Sequence, residues 1–212
     1  LAHKQVIHGN IQGNSMTRFT LQLIATLVLL AVSSPAAMAS RFCDELWFTR
    51  NWVMDQAGYC FRSTLAQAHF DNSDCSGQQV TLTPAQSDFV AEIQRLEAQL
   101  GCSVDTGRST LDMPSVEIRL RLEQQPLPYV GDNEEGWGCL GYDGAGITLF
   151  SAPSTGSTPL GRIDTGAWIR VGGYQAVNGW QFVTTYGPSW NTFRSGGWMQ
   201  PGIALSCQAE AG

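Results

Sequence analysis

Few side chains in this 212-residue chain could do chemistry. Histidine occurs at His3, His8 and His69, and the one lysine is Lys4. An imidazole offers a general base or a metal ligand. His3, His8 and Lys4 precede the cleavage site expected below, and the one remaining histidine cannot build a two-His zinc site; His69 in Gln67-Ala68-His69-Phe70 reads as an ordinary helical residue. Serine chemistry has no signature, because neither G-x-S-x-G nor S-x-x-K occurs. Asp132-Asn133-Glu134-Glu135 offers carboxylates for Ca²⁺ or for glycoside hydrolysis. It lacks the alternating spacing of a calcium loop and reads as a solvated turn. Gly141 to Gly146 is glycine-rich without a phosphate-loop lysine, and also reads as turns. The expectation is no catalytic residue, no metal and no cofactor.

Aromatic residues give the strongest binding signal. Trp137, Trp168, Trp180, Trp190 and Trp198 all fall in the C-terminal part. Trp168, Trp180 and Trp198 sit in strand-like patterns and read as core. Trp190 and Phe193 lie instead in the polar stretch Gly187-Pro188-Ser189-Trp190-Asn191-Thr192-Phe193-Arg194, which follows Tyr186. Rings in a polar loop can stack on a sugar or a peptide, with Arg194 meeting a carboxylate. The candidate ligand-binding residues are therefore Trp190, Phe193, Arg194 and Tyr186; packing of the loop on the sheet is the alternative.

The six cysteines lie after residue 40, at Cys43, Cys60, Cys75, Cys102, Cys139 and Cys207, with no C-x-x-C pair. An even count in an exported chain reads as three disulfides. Cys139 and Cys207 bracket a glycine-rich region and are expected to pair. Cys43, Cys60, Cys75 and Cys102 then have three possible connectivities.

The compartment comes from the N-terminal segment. Met16-Thr17-Arg18 is a short basic start, Leu21 to Val32 is uncharged and apolar, and Ala37-Met38-Ala39 is an A-x-A site. Residues 16–39 thus read as a signal peptide cleaved after Ala39, and residues 1–15 as an upstream extension outside the native start. The apolar run is shorter than the ~20 residues that span a bilayer, so no stable membrane span is expected after cleavage. Beyond residue 39 the chain has no lysine and ten Arg against eighteen acidic residues, a net charge of −8. That excludes the basic footprint of nucleic-acid binding and disfavours anionic lipid.

These residues need elements to position them. Cys43 to Ala57 is helix-like, with Asp44 and Glu45 placed in its first turn, where the helix dipole favours carboxylates. A shorter helix is expected over Thr64 to Phe70. Thr83-Pro84-Ala85-Gln86 is a capping box opening a helix with Phe89, Ile93, Leu96 and Leu100 on one face and Gly101 at its end. Val116 to Leu122 alternates apolar and charged residues and predicts a half-buried strand. Gln124 to Pro128 reads as a linker or strand exit. Short strands follow at Ile147–Phe150, Leu160–Ile163, Trp168–Val171, Trp180–Thr185 and Trp198–Gln200, separated by glycine-rich turns.

Two segments resemble known families. Arg50, Asn51, Gly58, Tyr59, Phe61, Leu65 and Phe70 match the pattern of the YARHG domain, a small module of exported bacterial proteins. The eponymous string reads Met54-Asp55-Gln56-Ala57-Gly58 here and keeps only Gly58. That family has no established catalytic residues, so the resemblance brings no mechanism. Pro159-Leu160-Gly161-Arg162-Ile163, Gly179-Trp180-Gln181-Phe182-Val183 and Gly197-Trp198 resemble bacterial SH3-like domains, small barrels of which many bind peptidoglycan or peptides.

The combined reading is an α+β chain: a disulfide-stapled helical YARHG-like domain over 40–125, then an all-β SH3-like barrel over 126–212. The function it implies is a non-enzymatic, periplasmic or secreted binding or adaptor protein acting on peptidoglycan or an envelope protein. A carboxylate-based envelope hydrolase and a proteinaceous inhibitor of an exported hydrolase are the alternatives.

Overall fold

The computed structural model describes residues 35–113, 115–129 and 136–212, with side chains from residue 41 onward. The expected upstream extension, the body of the signal peptide and the carboxylates Asp132, Glu134 and Glu135 lie outside the described residues. Among the described residues, no helix is long and apolar enough to cross a membrane.

Helix α1 spans Pro35–Gln56, so the Ala37-Met38-Ala39 segment forms part of its start. This corrects the role expected for Asp44 and Glu45. They sit in mid-helix, 1% and 5% exposed, not in the first turn. A buried carboxylate needs partners. Asp44 accepts from Arg108 and from the Asp112 amide (2.7 Å), while Glu45 lies 3.6 Å from Arg41 Nε. Burial is the largest single influence and opposes the Arg41 charge, but Glu45 together with Tyr174, Tyr186 and Asp112 outweighs it and holds the guanidinium pKa above its ordinary value. Leu46, Phe48 and Val53 of α1 are buried, Leu46 and Phe48 on opposite sides of the helix in separate clusters.

Helix α2 is one turn, Thr64–Gln67, capped by Ser63. Helix α3 runs Pro84–Gln99, and its capping box forms as the sequence implies. Thr83 Oγ1 accepts from the Gln86 amide (3.3 Å), and Gln86 Oε1 accepts from the Thr83 amide (2.9 Å). Ile93 and Leu96 pack on Leu46, and Gly101, at φ +63°, ends the helix. Cys43–Cys102 ties α1 to the end of α3, and Cys60–Cys75 closes the loop around α2. These two bonds select one of the three open connectivities.

The expected strand at Val116–Leu122 is a helix, α4, Val116–Leu120. Strand alternation would have turned Arg119 to solvent with Glu117 and Arg121. Arg119 is instead fully buried in α4 next to the buried Ile118, with Leu122 buried just beyond the helix end. Its Nε donates to Gln125 Oε1 (2.6 Å), its Nη2 donates to Thr49 Oγ1 (2.7 Å), and its Nη1 lies 3.7 Å from Glu45 Oε2. The guanidinium also stands 5.6–5.8 Å from the ring centroids of Phe48, Tyr174 and Phe182. Partners from distant parts of the chain override the local pattern. The Tyr174 hydroxyl belongs to the same cluster: burial first, then the Glu45 carboxylate, push its pKa far above the ordinary value. The stretch expected as a linker is built into this junction. Gln125 is buried and Gln125 Nε2 donates back to Arg119 O (2.6 Å).

Among the described residues seven antiparallel strands follow: β1 Trp137–Tyr142, β2 Ile147–Phe150, β3 Pro159–Ile163, β4 Trp168–Val171, β5 Gln181–Tyr186, β6 Phe193–Met199 and β7 Cys207–Ala211. Their order across the sheet is β3-β2-β6-β5-β4-β1-β7. Among the described residues the sheet is not closed, because β3 and β7 stand at opposite edges without pairing, so the expected SH3-like barrel is not formed. The sequence pattern misses β1 and β7. The Cys139–Cys207 bond clamps these strands together and places the last strand at an edge. One face gathers Cys139, Leu149, Ile163, Ile169 and Val183 into an aliphatic core. The other face carries Phe182 and Trp198, packed against Leu122 of the helical region. Trp198 is fully buried, and its Nε1 donates to Gln124 O (2.9 Å).

Candidate functional site

The β5–β6 hairpin builds the site. Its six-residue loop, 187–192, closes through the Gly187 amide, which donates to Thr192 O (2.8 Å). Register then decides which rings meet. Trp168 on β4 lies opposite Tyr186 on β5, and Tyr186 lies opposite Phe193 on β6. The three side chains therefore share one face of the sheet.

Trp190 folds back from the loop onto that face. Its ring centroid is 5.1 Å from Trp168 and 5.3 Å from Tyr186, both edge-on, and Tyr186 is 5.8 Å from Phe193. Edge-to-face contacts at these distances are favourable beyond the area they bury, by roughly 0.5–1.5 kcal/mol each. The indole reaches across to β1, where Gly138 makes room: a Cβ there would stand 2.7 Å from Trp190 Cζ2. Trp190 nevertheless stays 39% exposed. The ring is therefore fixed by neighbours on one side and open to solvent on the other.

Two grooves flank this aromatic cluster. The larger, about 550 Å³, runs between the β3–β4 turn and the start of β6, with Tyr186, Arg162, Asp164 and Arg194 on its walls. The smaller, about 200 Å³, is bordered by Trp190, Trp137 and Arg170. Volumes of a few hundred Å³ suit a small ligand or a short segment of a polymer.

Of the residues singled out in the sequence, Tyr186, Trp190 and Phe193 form one cluster, and Arg194 joins Tyr186 in the larger groove. Sequence reasoning assigned Trp168 to the core and overlooked Arg162 and Asp164. The signal for Trp168 was its strand register against Tyr186. Nothing local marks Arg162, which arrives from another hairpin. His69 lies elsewhere, half-buried, with Nε2 lacking a hydrogen-bond partner among the described residues. Burial first, then the Arg108 charge, lower its pKa. Among the described residues, no group of three or more His, Cys, Asp or Glu side chains could hold a metal ion.

The residues that carry the YARHG resemblance all have structural work. Arg50 Nε donates to both Glu97 oxygens (3.2 and 3.1 Å), linking α1 to α3. Asn51 Nδ2 donates to Trp47 O (2.7 Å). Gly58 turns the chain at φ +81°, with Ser76 packed where a Cβ would go. Phe61 stacks on Phe70 at 5.1 Å, and Leu65 is fully buried beside them.

Comparison with known proteins matches two family models, which meet between residues 98 and 101. The YARHG domain model matches residues 23–98. The model described as Domain of unknown function (DUF4453) matches residues 101–212, more than half the chain. No curated protein and no solved structure matches. The YARHG module and three closed disulfides mark the protein as exported. It carries a YARHG domain and, by the match that covers its whole sheet, belongs to the DUF4453 family.

Proposed function

We propose that this protein is a non-enzymatic binding protein of the bacterial envelope, working in the periplasm, and that it holds cell-wall glycan on the aromatic face of its sheet. One observation carries the reading: Trp190 is locked against Trp168, Tyr186 and the Gly138 backbone, yet keeps 39% of its surface open. An aromatic ring fixed before binding loses little conformational freedom on binding, and its open face suits a sugar ring. The acidic balance of the chain, −6 over its full length, argues against nucleic acid. Adaptor and scaffold roles are compatible with the same contact.

Co-sedimentation with purified peptidoglycan sacculi tests this. The wild-type protein is expected in the pellet at low salt, and Trp190→Ala is expected to lower the bound fraction at least five-fold with unchanged circular dichroism. Failure of the wild-type protein to sediment, or equal retention of the variant, overturns the reading.

A further inference from the structure

The larger groove contains a feature that glycan stacking does not use. Three arginines lie in the sheet region, at Arg162, Arg170 and Arg194, and two of them line this one groove. Both guanidinium groups rest on backbone that has no side chain. Arg162 lies over Gly146 so closely that a Cβ there would overlap it. Arg194 lies over Gly187, where a Cβ would stand 3.2 Å from Nε. Gly161 brings β3 against β6 in the same way: a Cβ on it would come within 3.1 Å of Ser195 Cβ. Glycines at three close approaches thus bring the arginines of two separate hairpins to one cleft.

The cleft also holds its own carboxylate. Arg162 Nε donates to Asp164 Oδ1 (2.9 Å), and both side chains are largely exposed. No carboxylate of the described residues pairs with Arg194. An exposed ion pair of this kind is worth about 0–1 kcal/mol, so a better-placed anion can replace it. A planar carboxylate accepts two parallel donors from a guanidinium, and that charge-assisted geometry is stronger than the single bond Asp164 accepts.

We propose that Arg162 and Arg194 form a carboxylate-binding subsite for short acidic peptides, and that Asp164 acts as an internal competitor which a ligand carboxylate displaces from Arg162. Tyr186 lines this groove and belongs to the aromatic cluster, so the subsite adjoins the face assigned to glycan. The inference rests on that reading for its biological ligand, but its test does not. Asp164 stands in for the ligand in the free protein and sets how readily the subsite fills.

The probe is N-acetyl-alanyl-alanine, used as the free carboxylate and as the C-terminal amide. Binding is followed by the side-chain Nε–H resonances of Arg162 and Arg194 in ¹H–¹⁵N spectra, with Arg50 and Arg95 as internal controls. The carboxylate is expected to shift Arg162 and Arg194 alone, and the amide neither. Asp164→Asn should tighten carboxylate binding at least three-fold, and Arg194→Gln should weaken it at least five-fold. Gly146→Ala should weaken it without any change of charge, by pushing Arg162 aside. Equal shifts with the amide, no shift with either probe, or unchanged affinity in Asp164→Asn overturns the subsite. Inorganic phosphate forms the third arm, and tighter binding of phosphate than of the carboxylate also overturns it. Sacculi whose carboxylates are coupled to amines separate the two proposals: protein retained equally by treated and untreated sacculi overturns the peptide subsite and leaves glycan binding intact, whereas no retention by untreated sacculi, with Arg162 and Arg194 still shifted by the soluble carboxylate, overturns glycan binding and leaves the subsite.

Discussion

The helical and sheet regions are held together by different means. The sheet is held by its own ladder, with six antiparallel strand pairings around an aliphatic core and one disulfide between neighbouring strands. The described helical region has two helices of useful length and two of about one turn, α2 and α4. Isolated helices that short are not stable in water. This region relies instead on cross-links: two disulfides, the aromatic stack of Phe48, Phe61 and Phe70, and buried polar groups at Asp44, Glu45, Thr49 and Arg119. A self-supporting sheet can leave one stretch of its face free for a ligand. The helical region has its side chains committed to structure, which is why the candidate site lies on the sheet.

The sharpest way to break this comparison is at Arg119, which touches both regions. Removing one member of a buried charged cluster costs about 3–5 kcal/mol, because it leaves the partner charge uncompensated. Arg119→Ala is expected to lose that much in urea unfolding. The helical signal in far-ultraviolet dichroism and the resolved indole N–H resonances of the sheet tryptophans should then separate into two transitions. A loss below about 1 kcal/mol with coincident transitions would show that the regions do not depend on this cluster.

A second variant sharpens it from the helical side. Replacing Cys60 and Cys75 with alanine opens a loop with a sequence separation of 15. In the chain-entropy model that costs about 3 kcal/mol. Melting of the helical signal should drop while ligand binding at the native temperature persists, as read by the same sedimentation assay. Loss of binding in proportion to helical melting would contradict the placement of the site.

The smallest expected effect concerns pH. The His69 pKa in the folded protein lies below its ordinary value of 6.5, through burial and the Arg108 charge. Above that ordinary value both folded and unfolded forms are neutral and the residue adds no slope. As pH falls below it, the unfolded chain binds the proton more readily, so folding stability declines. His69→Gln should remove this part of the decline, leaving a melting temperature less dependent on pH between about 7 and 5. Identical pH profiles for the two proteins would remove the effect.

The extent to which the sequence foretold this structure differs between elements for physical reasons. The α3 capping box and the strands at Ile147–Phe150 and Trp168–Val171 were readable because local chemistry alone specifies them. The Cys139–Cys207 pairing was readable from its position around the sheet. Val116–Leu122 was misread because alternation assumes that a charged residue faces water, and Arg119 finds its partners dozens of residues away in Thr49 and Tyr174. Strands β1 and β7 escaped notice because glycine and small residues carry little pattern, and only mutual pairing across the disulfide defines them. In the candidate site, the β5–β6 hairpin supplies the residues the sequence pointed to. Arg162 comes from another hairpin, and only the close approach of Gly161 to Ser195 brings it near.

One bond described above bears on how such a protein can be assembled over generations. Each family-matched segment holds three cysteines, and Cys43–Cys102 joins the first segment to the second. Either piece, moved alone into another gene, would carry an odd thiol into an oxidising compartment, where it would seek a foreign partner. Recombination between residues 98 and 101 is therefore penalised unless a cysteine is lost or gained with it. A protease cutting at the same junction would release nothing until the bond was reduced. The two modules are separate as sequence families, but in this chain they are inherited and degraded as one.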